Sequence, residues 1–316
     1  MKHIFVINPS AGHKKNFAKK LKNKLTQSLT NLAVDFEIII PEVCGAAKAR
    51  IAELSETTDE TLRVYACGGD GTLSEVVNTI VGIPHTECAL FPAGTGNDFS
   101  RNFSNPENFF NIEKQIKGRS TLIDTIVCNG RHSINMINIG FDCDVVDAAD
   151  RLKKKTFLSG SAAYLGGIFT TLFRHYGTKM QFTFPDGTVE EGEYLLSAFG
   201  NGGYCGGGFF SHPRVVLNDG LLDLCVVKKV SRPTFLRLLP IYKKGKHLES
   251  RRAAKVISYR QISAVSVKFE QEIGICIDGD IIYSDHADLA VAEKAIRFSV
   301  PEGSVLTATL AVPASV

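Results

Sequence analysis

The chain has 316 residues, 44% of them apolar and 22% charged, ordinary globular material for one large domain or two of common size, and two is the expectation. Its net charge of +3 is too mild to point to nucleic acid, so no nucleic-acid partner is expected, although lysine clusters still act over a Debye length of about 8 to 10 Å. The eight cysteines, at 44, 67, 88, 128, 143, 205, 225 and 276, include no CxxC pair, which excludes a metal or redox motif of that kind and fits small core residues of a reduced, cytosolic protein.

The opening MKHIFVINPSAG has too short an apolar run for a signal-peptide core, so the expected location is cytoplasmic. Strand and helix signals then alternate: HIFVI, a helix from about Lys14 to Leu32, VDFEIII, a helix from Ala46 to Leu54, LRVYAC, a helix from Thr72 to Val81, and ECALF. This alternation predicts a parallel sheet with helices on its faces. In the first helix Phe17, Leu21, Leu25, Leu29 and Leu32 form one apolar stripe, while Lys14, Lys15, Lys19, Lys20, Lys22 and Lys24 take the solvated faces.

Beyond Asp124 the texture changes to short strand-like segments separated by glycine-rich turns, two of them Asp-Gly turns at Pro185-Asp186-Gly187 and Asn218-Asp219-Gly220. An antiparallel sheet or sandwich is expected there, with helices only near 147–173 and 233–243. The longest charge-free run, Phe157 to Phe173, is too short to span a bilayer and contains three glycines, so any membrane contact is expected to be peripheral. Two basic runs are candidates for it: Arg151, Lys153, Lys154 and Lys155 ahead of a small-residue apolar segment, and Lys243, Lys244, Lys246, Arg251 and Arg252. Both also read as ordinary solvated surface.

Three special loops follow strands of the first half: Asn8-Pro9-Ser10-Ala11-Gly12, Gly68-Gly69-Asp70-Gly71-Thr72, and Gly94-Thr95-Gly96-Asn97-Asp98. In a parallel sheet all three fall on the carboxyl edge, where open α/β sheets bind ligands. Glycine lets backbone N–H groups approach phosphate, and a following helix adds a favourable dipole. The three together predict a polyphosphate site, although no GxxxxGK[ST] is present and the third loop breaks GxGxxG.

NPSAG, GGDGTLSEVVN and FPAGTGNDFSR, in that order, resemble the diacylglycerol kinase catalytic-domain superfamily, and in particular its soluble bacterial lipid kinases. NIGFDCDVV, GNGGYCGGGFFSHP and LNDGLLDLCVV continue the likeness over nearly the whole chain. The resemblance implies an α/β nucleotide-binding domain over 1–125, joined by a returning segment 302–316, and a β-sandwich domain over 126–301, with the active site in the cleft between them. It implies ATP, magnesium with the ATP, a membrane lipid acceptor met at the inner face of the bilayer, and a possible homodimer. Asn8, Pro9, Ser10, Gly12, Gly68, Gly69, Asp70, Gly71, Thr72, Glu75 and Thr95 become nucleotide-site residues, with Asp70 essential to phosphate or magnesium geometry. Val216, Asp219 and Leu221 match a structural magnesium site. The family's catalytic base is a glutamate after Asp-Gly; here Ile277-Asp278-Gly279-Asp280 places Asp280 there, one methylene shorter. Pro41 stands where the family commonly has a nucleotide-contacting threonine. The implied activity is phosphorylation of diacylglycerol or a similar lipid; a sphingoid or other lipid, and a non-catalytic nucleotide- or lipid-binding homologue, are the alternatives.

Overall fold

In the computed structural model, residues 1–9, 11, 16–41, 46–155, 166–168, 170–172 and 177–307 are described, with the backbone alone at 142, 150 and 153–155. Contacts divide the chain into two units, residues 1–123 with 294–316, and 124–293. The chain passes between them inside two strands, β5 (Arg119–Cys128) and β15 (Asp280–Val300).

The first unit is built on β1 (Lys2–Ile7), β2 (Phe36–Ile39), β3 (Leu62–Gly68) and β4 (Thr86–Pro92). β1 pairs in parallel with β2 (His3 opposite Phe36) and β3 (Lys2 opposite Leu62), and β3 with β4 (Leu62 opposite Thr86). The end of β15 adds to β4, also in parallel, through Phe298 and Cys88. Every residue of β3 is buried, as a central strand covered on both faces requires. The helices of this unit include α1 (Phe17–Asn31), α2 (Ala46–Thr57), α3 (Asp70–Ile80) and the short α4 (Ile112–Ile116). α1 buries Leu21, Leu25 and Leu29 of its predicted stripe, and its described lysines are exposed.

The buried charges Arg63 and Glu87 of this unit are paired. Arg63 Nε donates to Glu87 Oε2 at 2.9 Å, and Arg63 Nη1 donates to the carbonyls of Gln115 and Ile116, so both charges are buried with partners. Beside them His3 Nδ1 lies 2.9 Å from the Tyr65 hydroxyl. Burial, reinforced by Arg63, lowers the His3 pKa to about 4.

The second unit is antiparallel. Its strands are β7 (Met136–Gly140), β8 (Thr178–Thr183), β9 (Val189–Gly200), β12 (Leu222–Lys228), β13 (Ile257–Ile262) and β14 (Ala264–Ile277), with β15 beside β14. Smaller strands are β6 (Arg131–Ser133), paired with β5, and the couple β10 (Tyr204–Cys205) and β11 (Phe209–Phe210). β9 and β14 each divide one edge between two partners: their outer parts flank β8, and their inner parts flank β7, while their other edges pair with β12 and β15. A register shift between Lys268 and Ile273 lets β14 turn from β8 to β7. Along β12, Leu222, Leu224 and Val226 enter one core with Phe182, Phe199 and Ile275, while Cys225 and Val227 enter another. That second core lies against α5 (Phe141–Lys155) and α6 (Arg232–Lys243), through Phe141, Val145, Phe235 and Tyr242.

α5 starts at Phe141, directly after the positive-φ Gly140, and not near Asp147. The alternating Phe141-Asp142-Cys143-Asp144 hides its first turn from a period-based reading. The seven described cysteines are buried. No helix among the described residues is long and apolar enough to cross a membrane.

Candidate active site

In the first unit the described parts of the three loops meet. Asn8, just after β1, donates from Nδ2 to the Thr72 hydroxyl at 3.0 Å, linking the first loop to the second. A Cβ on Gly68 would lie 2.1 Å from Thr72 Oγ1, so only glycine lets the strand end pass this side chain. The second and third loops touch backbone to backbone: a Cβ on Gly94 would lie 2.5 Å from Gly69 Cα. Asp70 Oδ1 accepts from the Phe99 N–H at 3.3 Å, so this carboxylate also holds the third loop against the start of α3.

The third loop has its own lock. Asn97, at φ 49°, accepts the Gly94 N–H through Oδ1 at 3.0 Å and returns Nδ2 to the Gly94 carbonyl at 3.0 Å. Phe99 then enters an aromatic cluster, edge-on to Phe298 at 5.1 Å and to Phe103 at 5.7 Å. The loop therefore rests on the returning end of β15. Thr95 and Glu75 are exposed, Asn8 and Asp70 half-buried, and Pro9 exposed. Ser10 and Gly12 lie outside the described residues, as do Lys14 and Lys15.

These residues fit a nucleotide polyphosphate. Gly69 is the N-cap of α3, whose first N–H groups have no partner inside the helix, and a Cβ on Gly71 would meet nothing within 4 Å. The two glycines test the cradle separately. Gly94→Ala forces backbone against backbone, a strain of about 1–3 kcal/mol, and is expected to weaken ATP binding at least about tenfold. Gly71→Ala has room in the fold, so it should leave the melting temperature unchanged while still lowering ATP affinity, both read by titration with a fluorescent nucleotide. Full affinity in both variants would place the phosphates elsewhere.

In the second unit Asp280 opens β15 at the Asp278-Gly279 turn, where both turn residues have positive φ, 49° and 100°. The buried Asp278 carboxylate accepts four bonds: from Ser133 Oγ at 2.7 Å, and from the N–H groups of Ile134, Asn135 and Met136 at 2.9 to 3.1 Å. Burial raises its pKa, and these bonds oppose the shift. Asn129, in the β5–β6 hairpin, grips β15 through the Asp288 N–H and the His286 carbonyl. On this frame Arg131 pairs directly with the Asp280 carboxylate. Sequence reading passed over Arg131 and Asn129, although the Asn129-Gly130 turn was a hairpin signal.

Arg131 therefore restrains Asp280, and a misplacement of ~1 Å at a reacting group costs about a hundredfold. Arg131→Ala is expected to lower turnover about tenfold with ATP affinity unchanged, and Arg131→Lys to recover part of it. Equal steady-state rates in all three proteins would show that the pair does not position the carboxylate.

The third set lies on the 216–221 turn. Asp219 Oδ1 accepts the Leu221 N–H at 3.0 Å, and the buried Asp124 accepts the Gly220 N–H at 2.8 Å. Burial raises the Asp219 pKa; the Leu221 bond opposes this and the Asp124 charge adds to it. Among the described residues no group of three or more His, Cys, Asp or Glu side chains could hold a metal. A set of one carboxylate and main-chain carbonyls is hard-oxygen chemistry that suits magnesium, and a dication there would relieve the repulsion between the two aspartates.

The second unit also holds an apolar slot of about 40 Å³ between the sheet and α6, lined by Phe141, Leu196, Phe209, Val227, Phe235 and Leu238 among others.

Comparison with known proteins agrees over both halves. Residues 2–128 match the diacylglycerol kinase catalytic domain, and residues 135–298 match the YegS C-terminal NAD kinase beta sandwich-like domain, which alone spans more than half of the chain. A Shewanella frigidimarina protein named "Probable lipid kinase YegS-like" is 30% identical over 250 residues, covering 77% of this chain and 78% of its own. The Staphylococcus aureus diacylglycerol kinase is 27% identical over 277 residues, covering 87% and 84%. A crystal structure from Bacillus anthracis str. Sterne, of a protein put forward as a diacylglycerol kinase, has a TM-score of 0.75 at 27% identity and covers 96% of this chain and 98% of that one. With both halves matched, the chain belongs to the lipid kinase family built on the diacylglycerol kinase catalytic domain.

Proposed function

We propose that the protein transfers the γ-phosphate of ATP to the hydroxyl of diacylglycerol or a similar membrane lipid. The observation that carries the nucleotide half of this reading is the backbone contact of Gly69 with Gly94 at the start of α3. Asn8 and Thr72 tie the first loop to that cradle, and Asp70 sets the position of the third. Magnesium bound with the ATP would supply charge neutralisation at the phosphates. At the 216–221 turn, Asp219 with the carbonyls of Val216 and Leu221 would hold a second, structural magnesium.

Asp280 takes the proton of the acceptor hydroxyl as its oxygen bonds to the γ-phosphorus and the bond to the ADP oxygen breaks. Arg131 and the four-bonded Asp278 keep that carboxylate in place before the acceptor arrives. The apolar slot supports a lipid as acceptor, because its lining offers an acyl tail a place out of water. At its present volume the slot is narrow, so a tail enters as α6 moves off the sheet. Pro240 inside α6 lacks an N–H and makes that helix easier to bend.

Labelled ATP, magnesium and a panel of diacylglycerol, monoacylglycerol, ceramide, sphingoid base, phosphatidylglycerol and undecaprenol test the reading. A labelled neutral glycerolipid is the expected product; a labelled sphingoid base or ceramide would change the acceptor. The ion pair at Asp280 favours one second reading, a nucleotide- and lipid-binding protein without turnover. ATP binding with no labelled lipid from the whole panel would establish it. A peripheral position at the inner face of the membrane, and a homodimer, belong to the same proposal; sedimentation velocity reads the latter.

A further inference from the structure

We propose that the outer surface of α6 and the 3₁₀ turns that follow it is a docking face for an anionic lipid bilayer. From Arg237 to Lys255 the chain places seven cations, among them Lys244, Lys246, Arg251, Arg252 and Lys255, against one acid, Glu249. All seven are exposed, and none joins an ion pair among the described residues. Elsewhere on this unit several cations are matched, Lys179 with Glu270, Lys229 with Glu193 and Arg260 with Glu190, and no separate stretch of it gathers as many with so few acids. Like charges gathered without acids repel one another, so the face is at its most favourable against a surface of opposite sign.

α6 adds what a soluble polyanion would not need. Leu236 is 43% exposed and stands seven residues before Lys243, hence on the same side of the helix. An apolar side chain among cations is the composition of a helix that lies in a membrane interface. The opposite side of α6 buries Phe235, Leu238 and Tyr242 in the lining of the apolar slot. One helix thus presents cations outward and roofs an apolar space inward, so a leaflet held on its outer face lies beside the slot. That a lipid tail uses the slot rests on the function proposed above; the docking face does not.

Co-sedimentation of the full chain with vesicles of phosphatidylcholine, alone or with about a third phosphatidylglycerol, tests the face. Each basic side chain near an anionic leaflet is worth roughly fivefold in partitioning, so the variant K244Q/K246Q/R251Q/R252Q/K255Q should bind anionic vesicles at least about a hundredfold more weakly. All five side chains are exposed, so the variant is expected to melt with the wild type. A control that removes four α1 charges, K19Q/K20Q/K22Q/K24Q, should bind within about threefold of the wild type. The inference is overturned if the five-site variant binds as well as wild type, if the α1 control loses as much, or if wild type binds heparin but no anionic vesicle. Sedimentation needs no turnover: an inactive protein that still docks through these residues would end the kinase reading and keep this one.

Discussion

Asp280→Asn is expected to lower phosphoryl transfer about a thousandfold, within the range that a positioned general base contributes, and to leave ATP affinity unchanged. The amide keeps the size of the side chain and removes its capacity to accept a proton. Asp280 is surface-accessible at its turn, and the turn is held by Asp278, so the substitution should not disturb the fold. Asp280→Glu keeps the carboxylate and extends it to the residue usual in the family; it should retain measurable turnover where Asp280→Asn does not. Single-turnover rates with saturating ATP separate the two. If the asparagine variant turns over within tenfold of wild type, the proton goes to another group, and the restraint by Arg131 loses its catalytic meaning.

The parts of this site differed in how far the sequence revealed them. Glycine clusters at strand ends are local signals, because turn chemistry and close backbone approach leave a mark within five residues, and Gly68 to Thr72 stood out for that reason. What Asp70 touches was not local: its partner is the Phe99 N–H, twenty-nine positions away. Arg131 and Asp280 are 149 positions apart, and no periodicity in either hairpin announces the pair. The passage between units was equally hidden. It occurs inside continuous strands, at 123/124 in β5 and 293/294 in β15, where a linker composition is absent, whereas texture marks a change near 125 and the family resemblance a return at 302. Likewise α5 begins where Gly140 turns the chain, a backbone event that its neighbours in sequence do not encode.

Acid should destabilise both units, and the sign follows from three buried histidines. Burial is the main cause in each: it lowers His3 and His247 to about 4 and His212 to about 3. All three are nearly inaccessible, so the discount for solvent screening is small. The folded chain keeps these rings neutral, while the unfolded chain protonates them near pH 6.5. Their contribution is therefore complete above pH 6.5 and is lost as the pH falls toward the folded values. Asp223 acts in the opposite sense: burial raises it to about 6, so the folded state takes up a proton there before the unfolded state does. Asp219 and Asp278, which burial also raises, act in the same sense as Asp223. Each histidine loses about 2 kcal/mol between pH 6.5 and 5, taking ~1.4 kcal/mol per group per pH unit, and the three carboxylates offset part of that loss. Urea unfolding at the two pH values measures it. Since His3 belongs to the first unit and His212 and His247 to the second, domain-resolved probes should each show a shift. His247→Phe removes one titrating group from a site already lined by Tyr242 and Tyr259, and should reduce the loss by roughly 2 kcal/mol. An equal loss in wild type and His247→Phe would mean that this ring is protonated inside the fold, with counter-charges the present packing does not supply.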